Sequence, residues 1–310
     1  MGERHLITLI TRWLSRQPRF STLVRGIGDD CATVRCAGKR ELLTADAFVE
    51  GVHFDRRRVS AHDAGWKSLA ANISDIAAAG GIPACALVSL ELPPSLGVSW
   101  LKGFYSGLLS CARRFGVAVA GGNLSRSTHF AAHIALTGKA PARLVGRSGA
   151  RPGDIVAVTG RMGGSLAGLL CLKRGIRGTA ARTAIRRHLH PEPRVAEGRE
   201  LAKVAHALID ISDGLVHEAS LLAEASKVRI VLDASAIPVH PAARSLARRL
   251  GKSPISLAAG SGEEYELLAI LPRRLAGRAQ LKGMGVIGFV ARGRGVIGLK
   301  SAGFDHFRNG

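Results

Sequence analysis

Two adjacent carboxylates close the run Gly26-Ile27-Gly28-Asp29-Asp30, and they set the first constraint on this chain. Three further acidic pieces echo them: Thr44-Ala45-Asp46, Asn72-Ile73-Ser74-Asp75 and Asp210-Ile211-Ser212-Asp213-Gly214. Six of the eleven aspartates sit in these four pieces, although the chain carries a formal charge of +21. Gathering carboxylates costs free energy unless a cation offsets their repulsion. An all-oxygen donor set of this kind suits Mg²⁺ or Mn²⁺ rather than zinc. A fold that gathers the pieces is therefore expected to hold Mg²⁺ ions that carry the phosphates of a nucleotide. Singly, each piece has a blander meaning. Asp29-Asp30 can be a turn, and Ser212-Asp213-Gly214 a helix cap. Their joint occurrence is harder to dismiss.

At 310 residues the chain is long for one core, so two domains are expected. Aromatics make up only 5%, which leaves the core mostly to Ala, Leu, Val and Ile. No apolar run reaches the roughly 18 residues needed to span a bilayer. Leu6 to Ile10 is too short an apolar run for a signal peptide. Cys31, Cys36, Cys85, Cys111 and Cys171 show neither CxxC nor zinc spacing, which suits thiols of a reducing, cytoplasmic location. The basic excess, 44 Lys+Arg against 23 Asp+Glu, is spread in pairs and triplets such as Arg56-Arg57-Arg58. It contains no block of five like charges and no aromatic-interleaved RNA signature, so nucleic acid is not the expected main partner.

The periodicity predicts helices over 3–16, 63–80, 99–115 and 195–207, with another from Ser165 through Leu172 and one over 215–225. In the helix over 63–80, Trp66, Leu69, Ile73 and Ile76 form an apolar stripe, and Ser68, Asn72 and Asp75 a polar one. That second stripe lacks Lys, Arg and Glu, which is unusual for a solvated face. Ser99 and Ser212 are candidate N-caps. Strands are expected at 42–44, 84–92, 117–120, 133–137, 154–159, 208–209, 228–232 and 264–271. The strand at 117–120 is read as buried and running into Gly121-Gly122-Asn123. The elements alternate irregularly with local strand pairs, which predicts an α+β fold. Periodicity fades between Gly138 and Gly153, so the domains are placed at 1–140 and 141–310.

Two motifs are discarded. Gly251-Lys252-Ser253 lacks the first glycine of a P-loop, follows an Arg-rich helix and precedes Pro254. Gly293-Arg294-Gly295-Val296-Ile297-Gly298 matches GxGxxG, but too little chain follows for a βαβ unit, and it is read as a late hairpin.

The pieces 26–32, 44–54 (TADAFVEGVHF), 67–80 (KSLAANISDIAAAG), 121–123, 147–154 (RSGARPGD), 210–215 (DISDGL) and 262–267 (GEEYEL) resemble the thiamine-monophosphate kinase family, in its order and spacing. Gly303-Phe304-Asp305-His306-Phe307 is also similar to that family's C-terminus. The resemblance implies two α+β domains, the first pairing with its copy in a homodimer. It implies the reaction ATP + thiamine monophosphate → ADP + thiamine diphosphate by direct in-line transfer. Asp30, Asp46, Asp75, Asp210 and Asp213 would then bind Mg²⁺, with Thr44 helping. Gly122, Asn123, Arg147 and Ser212 would contact the nucleotide. His53, Glu263 and Phe304 would face thiamine monophosphate, where a carboxylate and an aromatic face suit a cationic thiazolium.

The chain departs from that pattern at several positions. Asn123 stands where the family usually has Asp; its carbonyl can still ligate Mg²⁺ but brings no charge. Ala45 replaces a common Thr, Ala79 a common Met, and Glu264 a common Asp. Two competing expectations stand beside the kinase. One is a different ATP- and Mg²⁺-dependent enzyme of the wider superfamily, which includes aminoimidazole ribonucleotide synthetase and a hydrogenase maturation factor. The other is a catalytically inactive binding protein that uses the positive charge.

Overall fold

The computed structural model describes residues 2–14, 21–277 and 283–299. After an amphipathic helix α1 (Glu3–Leu14), three strands follow: β1 (Leu23–Arg25), β2 (Ala32–Cys36) and β3 (Lys39–Val49). Helix α2 (Ala61–Ala78) leads to β4 (Ile82–Leu92), α3 (Val98–Phe115), β5 (Ala118–Arg126) and β6 (Ala131–Lys139). These strands form one sheet in the order β1-β2-β3-β6-β4-β5. All its pairs are antiparallel except β4 with β5, which α3 connects as a crossover. Leu42, Ala86, Val88, Leu90, Ile134 and Leu136 are buried under α2 and α3, whereas Leu43 and Leu87 stay exposed. That is the one-sided pattern of an antiparallel sheet.

The remaining chain builds a second sheet from β7 (Ile155–Val158), β8 (Ala207–Asp210), β9 (Arg229–Leu232), β10 (Leu267–Leu271), β11 (Gly285–Ala291) and β12 (Gly295–Ile297), ordered β12-β9-β11-β7-β10-β8. Helices α4 (Gly164–Arg174), α5 (Thr179–Leu189), α6 (Val195–Ala202), α7 (Leu215–Ser226), α8 (Pro241–Leu246) and α9 (Pro254–Ala259) surround it. Strands β7, β8 and β10 are buried at every residue, consistent with their continuous apolar sequences. Two mixed sheets with local antiparallel pairs make the fold α+β, as expected.

Helix α2 is the element on which the two halves meet. A Cβ on its Gly65 would overlap the Phe104 carbonyl of α3, and one on Gly198 of α6 would overlap the Ala77 carbonyl of α2. Both glycines therefore permit close backbone approach. Because α2 is covered on both sides, its polar stripe is internal. Ser68 and Asn72 are buried, and Asn72 Nδ2 donates to the Ser68 carbonyl at 3.1 Å.

Several expectations need correction. Gly97, not Ser99, is the N-cap of α3. Gly214, not Ser212, precedes α7 as its cap. Residues 195–207 are not one helix: α6 stops at Ala202, and β8 begins at Ala207. Strand β5 continues through Gly121-Gly122-Asn123 to Arg126 and is an exposed edge rather than a buried strand. A Cβ at Gly122 would overlap the Val88 carbonyl of β4, so tight strand packing explains a glycine there. The 293–298 piece forms no hairpin with β11, because β12 lies parallel to β9. Helix α8 answers to the Arg-rich helix expected before Gly251, whereas α5 and α9 have no counterpart in the sequence reading. Ser253, from the rejected P-loop piece, accepts the Ser256 N–H and caps α9.

Candidate active site

The alternation of β3 puts Thr44 and Asp46 on the same face of the strand. Thr44 Oγ1 donates to Asp75 Oδ2 of α2 at 2.5 Å. Asp210 arrives at the end of buried β8, where Ser74 Oγ donates to its Oδ2 at 2.6 Å. Asp30 enters from the loop before β2 and is held across the halves by Arg147, whose Nε donates to Oδ1 at 3.1 Å. The Arg147 backbone N–H fixes the neighbouring Asp29 at 2.7 Å. Carboxylate oxygens of Asp30, Asp75 and Asp210 thereby lie within 4.8 Å of one another.

Burial and mutual repulsion dominate this cluster. Burial, then the charges of Asp46, Asp210 and Asp30, push the Asp75 carboxyl well above its usual range. Burial and the charge of Asp30 lift Asp210 to about 7 and Asp46 to about 6. Burial also raises Asp30, against the opposing pull of Arg147. Converging buried carboxylates that resist ionisation are what a dication would reverse. Their oxygen-only chemistry fits Mg²⁺.

The loop after β8 continues the site. Glu218 of α7, which is buried, reaches back to accept the Asp213 N–H at 2.9 Å and the Ser212 hydroxyl at 3.2 Å. The Gly262-Glu263-Glu264-Tyr265 loop docks on the same turn: the Glu263 N–H donates to the Ser212 carbonyl and the Tyr265 N–H to that of Ile211. Glu263 and Tyr265 take φ of 54° and 52°, in the left-handed region that non-glycine residues rarely adopt. The strain places the Glu263 carboxylate 2.8 Å from Lys67 Nζ.

Lys67 of α2 is only 1% exposed, and its Nζ also stands 3.2 Å from His188 Nε2 of α5. An ammonium only donates, so His188 Nε2 accepts and Nδ1 carries the proton, facing Ser165 Oγ at 3.0 Å. Burial, then the charge of Lys67, push His188 down to about 3, so it is neutral. Burial alone would raise Glu263, but the charge and hydrogen bond of Lys67 outweigh it and hold the carboxyl below its usual range.

A cavity of about 1330 Å³ runs between the halves. It is lined by Asp30, Asp46, Asp75, Asp210 and Asp213, and by Thr44, His53, Arg147, Ser212 and Glu263. Arg56, Arg57, Arg58 and Lys173 line it as well. His53 is also a packed residue: its Nδ1 accepts the Val49 N–H at 3.0 Å and its ring stacks on Phe48. Gly122 and Asn123 are exposed on β5 and, among the described residues, do not line this cavity. Phe304 lies outside the described residues. Sequence reasoning did not single out Lys67, His188, Ser74 or Glu218. Lys67 carried a usable signal, as the only Lys or Arg of α2, between Trp66 and Leu69 of the apolar stripe.

Two α+β halves, each a six-stranded sheet with helices, with a buried carboxylate cluster between them, define the architecture of the class to which this chain belongs. Residues 28–140 match the family "AIR synthase related protein, N-terminal domain". The thiamine-monophosphate kinase of Aquifex aeolicus is 37% identical over 99% of this chain and 98% of its own. That of Bacillus subtilis is 41% identical over 77% of this chain and 75% of its own. The solved structure titled "AaThiL complexed with AMPPCP and TMP" superposes with a TM-score of 0.91 at 38% identity, covering 99% of this chain and 97% of that one. The hydrogenase maturation protein HypE of E. coli shares the fold, with a TM-score of 0.68 at 21% identity. The chain belongs to the thiamine-monophosphate kinase family. It is an enzyme, a kinase that phosphorylates a phosphate group.

Proposed function

We propose that this chain transfers the γ-phosphoryl group of ATP to thiamine monophosphate by direct in-line attack with Mg²⁺. A phosphate oxygen of the acceptor forms the new bond to phosphorus as the bond to the ADP oxygen breaks, leaving ADP and thiamine diphosphate. The observation that carries this reading is the convergence of Asp30, Asp75 and Asp210 between the halves. These three, with Asp46, Asp213 and Thr44, would hold the metal. When bound, Mg²⁺ supplies the positive charge that offsets both these carboxylates and the transferring phosphoryl oxygens.

The protein's own contribution is positioning. Thr44 and Ser74 orient Asp75 and Asp210 through their hydroxyls. Arg147 and Ser212, which line the same cavity as the carboxylates, would meet the nucleotide's phosphates. Glu263 offers a carboxylate to the thiazolium, kept ionised by Lys67. His53 and Phe304 complete the substrate side.

We place the domains at 1–140, which binds ATP and Mg²⁺ and dimerises, and 141–310, which completes the site. The exposed edge β5, carrying Gly122 and Asn123, supports a homodimer in which those residues meet nucleotide at a second copy's cavity. A cytoplasmic location suits the thiols, all free among the described residues, none of which belongs to a helix long and apolar enough to cross a membrane.

The test is ADP release from Mg²⁺-ATP with and without thiamine monophosphate, with the product identified by mass. Thiamine diphosphate formed in step with ADP is the expected result. ADP release that thiamine monophosphate does not stimulate, from protein with bound Mg²⁺, would assign a different acceptor within the superfamily.

A further inference from the structure

We propose that His62, Asp63 and His190 form a second metal site, separate from the carboxylate cluster and suited to a transition-metal dication such as Zn²⁺. One donor atom from each lies within 4.8 Å of the others. His62 and Asp63 occupy the first turn of α2, and His190 is the residue that ends α5. The donors therefore come from both halves of the molecule.

The chemistry separates this cluster from the first. Mg²⁺ prefers oxygen ligands and keeps much of its water. Two imidazoles and one carboxylate are instead a donor set for Zn²⁺, with a fourth position left to water. The side chains of His190 and Asp63 are 28% and 24% exposed, so an ion can enter from solvent.

The surrounding groups orient the donors. Asp63 Oδ2 accepts the Ser60 hydroxyl at 2.7 Å, which leaves Oδ1 directed at His190 Nε2. Trp66 lies flat on the His190 ring, centroids 5.1 Å apart and 16° from parallel. The Trp66 indole N–H donates to the Pro191 carbonyl at 3.0 Å, tying down the residue after His190. Partners of this kind fix ligand orientation in metal sites. A hydrogen bond between Asp63 and His190 accounts for two of the three groups. The third donor, His62, takes no part in that bond; its ring lies beside that of His190, with centroids 5.7 Å apart. Ligation replaces that bond and opens the two atoms from 2.5 Å to the roughly 3.3 Å expected between ligands of a tetrahedral ion.

An ion here would fasten the start of α2 to the end of α5. One turn further along α2, Lys67 already reaches His188 of α5. Metal binding at His62, Asp63 and His190 would thus clamp the two halves from outside, next to the buried contact.

The experiment uses the full chain, stripped with chelator, reduced and held in excess Mg²⁺ to saturate the carboxylate cluster. Zn²⁺ is titrated by calorimetry and Co²⁺ by its visible absorption, alongside thermal unfolding. The wild type is expected to bind one equivalent, to give the bands of four-coordinate Co²⁺, and to unfold several degrees higher with Zn²⁺. His62→Ala and His190→Ala are each expected to weaken binding at least 10-fold and to lose the thermal shift. Both variants should retain the unfolding temperature of the metal-free wild type to within a few degrees, which separates lost ligation from lost folding. No stoichiometric binding by the wild type, or binding that persists in both variants, would overturn the proposal.

Discussion

At the scale of single residues, the buried carboxylate cluster costs the metal-free protein stability that the proposed metal would return. Asp210 is buried among Asp30, Asp46 and Asp75, so its charge destabilises the metal-free protein. Asp210→Asn keeps the shape and still accepts the Ser74 hydroxyl. The variant is expected to unfold at a higher temperature than wild type in chelator and to lose its thermal response to Mg²⁺. Turnover should fall by roughly 10²- to 10³-fold, the scale of several kcal/mol of lost transition-state stabilisation. A variant that is both destabilised and fully active would remove Asp210 from the metal site. Asn123 poses the opposite case. It is exposed on β5, away from its own chain's cavity, and brings no charge where a carboxylate would. Asn123→Asp should retain or raise activity in a steady-state assay at limiting Mg²⁺. A large loss of turnover would show that the amide has been recruited to another task.

At the scale of elements, the turn between β8 and α7 depends on a side chain the motif does not feature. Glu218 accepts the Asp213 N–H from inside α7. Glu218→Ala leaves that N–H without its partner and is expected to cost about 1–3 kcal/mol, read as a lowered unfolding temperature. It should also cut turnover about 10-fold, because Asp213 loses its support, on the scale of a neutral hydrogen bond. Glu218→Gln keeps the accepting oxygen and should restore most of both; equal damage from the two variants would refute a hydrogen-bonding role. This turn also marks what was legible in the sequence. Helix α2 was readable because its apolar stripe repeats at helical spacing, and Asp75 stood out because its polar stripe lacked the usual charged residues. Strand β8 was readable as an apolar pair ending in Asp. Ser212 reads as the cap because it precedes the helix in sequence, whereas the group that holds the turn, Glu218, reaches back from the fourth residue of α7. Val117 to Ala120 is apolar and reads as a buried strand, yet edge or centre is decided by sheet order, which local sequence does not encode. For the same reason Lys67 and His188 escaped notice as a pair: 121 residues separate them, and only the packing of α2 against α5 brings them together.

At the scale of the whole molecule, the cavity joins two halves through groups whose charge depends on pH and metal. Asp210 and Asp46 start from an ordinary 3.8 and rise to about 7 and about 6 in the metal-free native state. Asp30 and Asp75 move in the same direction. Between about pH 4 and 7 the native state therefore holds protons that the unfolded chain has released, so stability falls as pH rises through this window. His188 acts in the opposite sense. Its value drops from 6.5 to about 3, so its contribution is present above about pH 6.5 and is lost as pH falls. His240, lowered by burial and then by the charges of Arg187 and Arg161, acts in the same sense as His188, so two histidines oppose four aspartates and the downward slope with rising pH should prevail in chelator. Mg²⁺ favours the ionised carboxylates and releases those protons, which should flatten or reverse the slope. Unfolding temperatures from pH 5 to pH 7.5, with chelator and with Mg²⁺, measure the difference directly. Asp210→Asn should reduce the slope in chelator, since it removes one of the titrating groups. An identical slope with and without Mg²⁺ would mean that the dication binds elsewhere, and that the cluster between the halves stays protonated while the enzyme works.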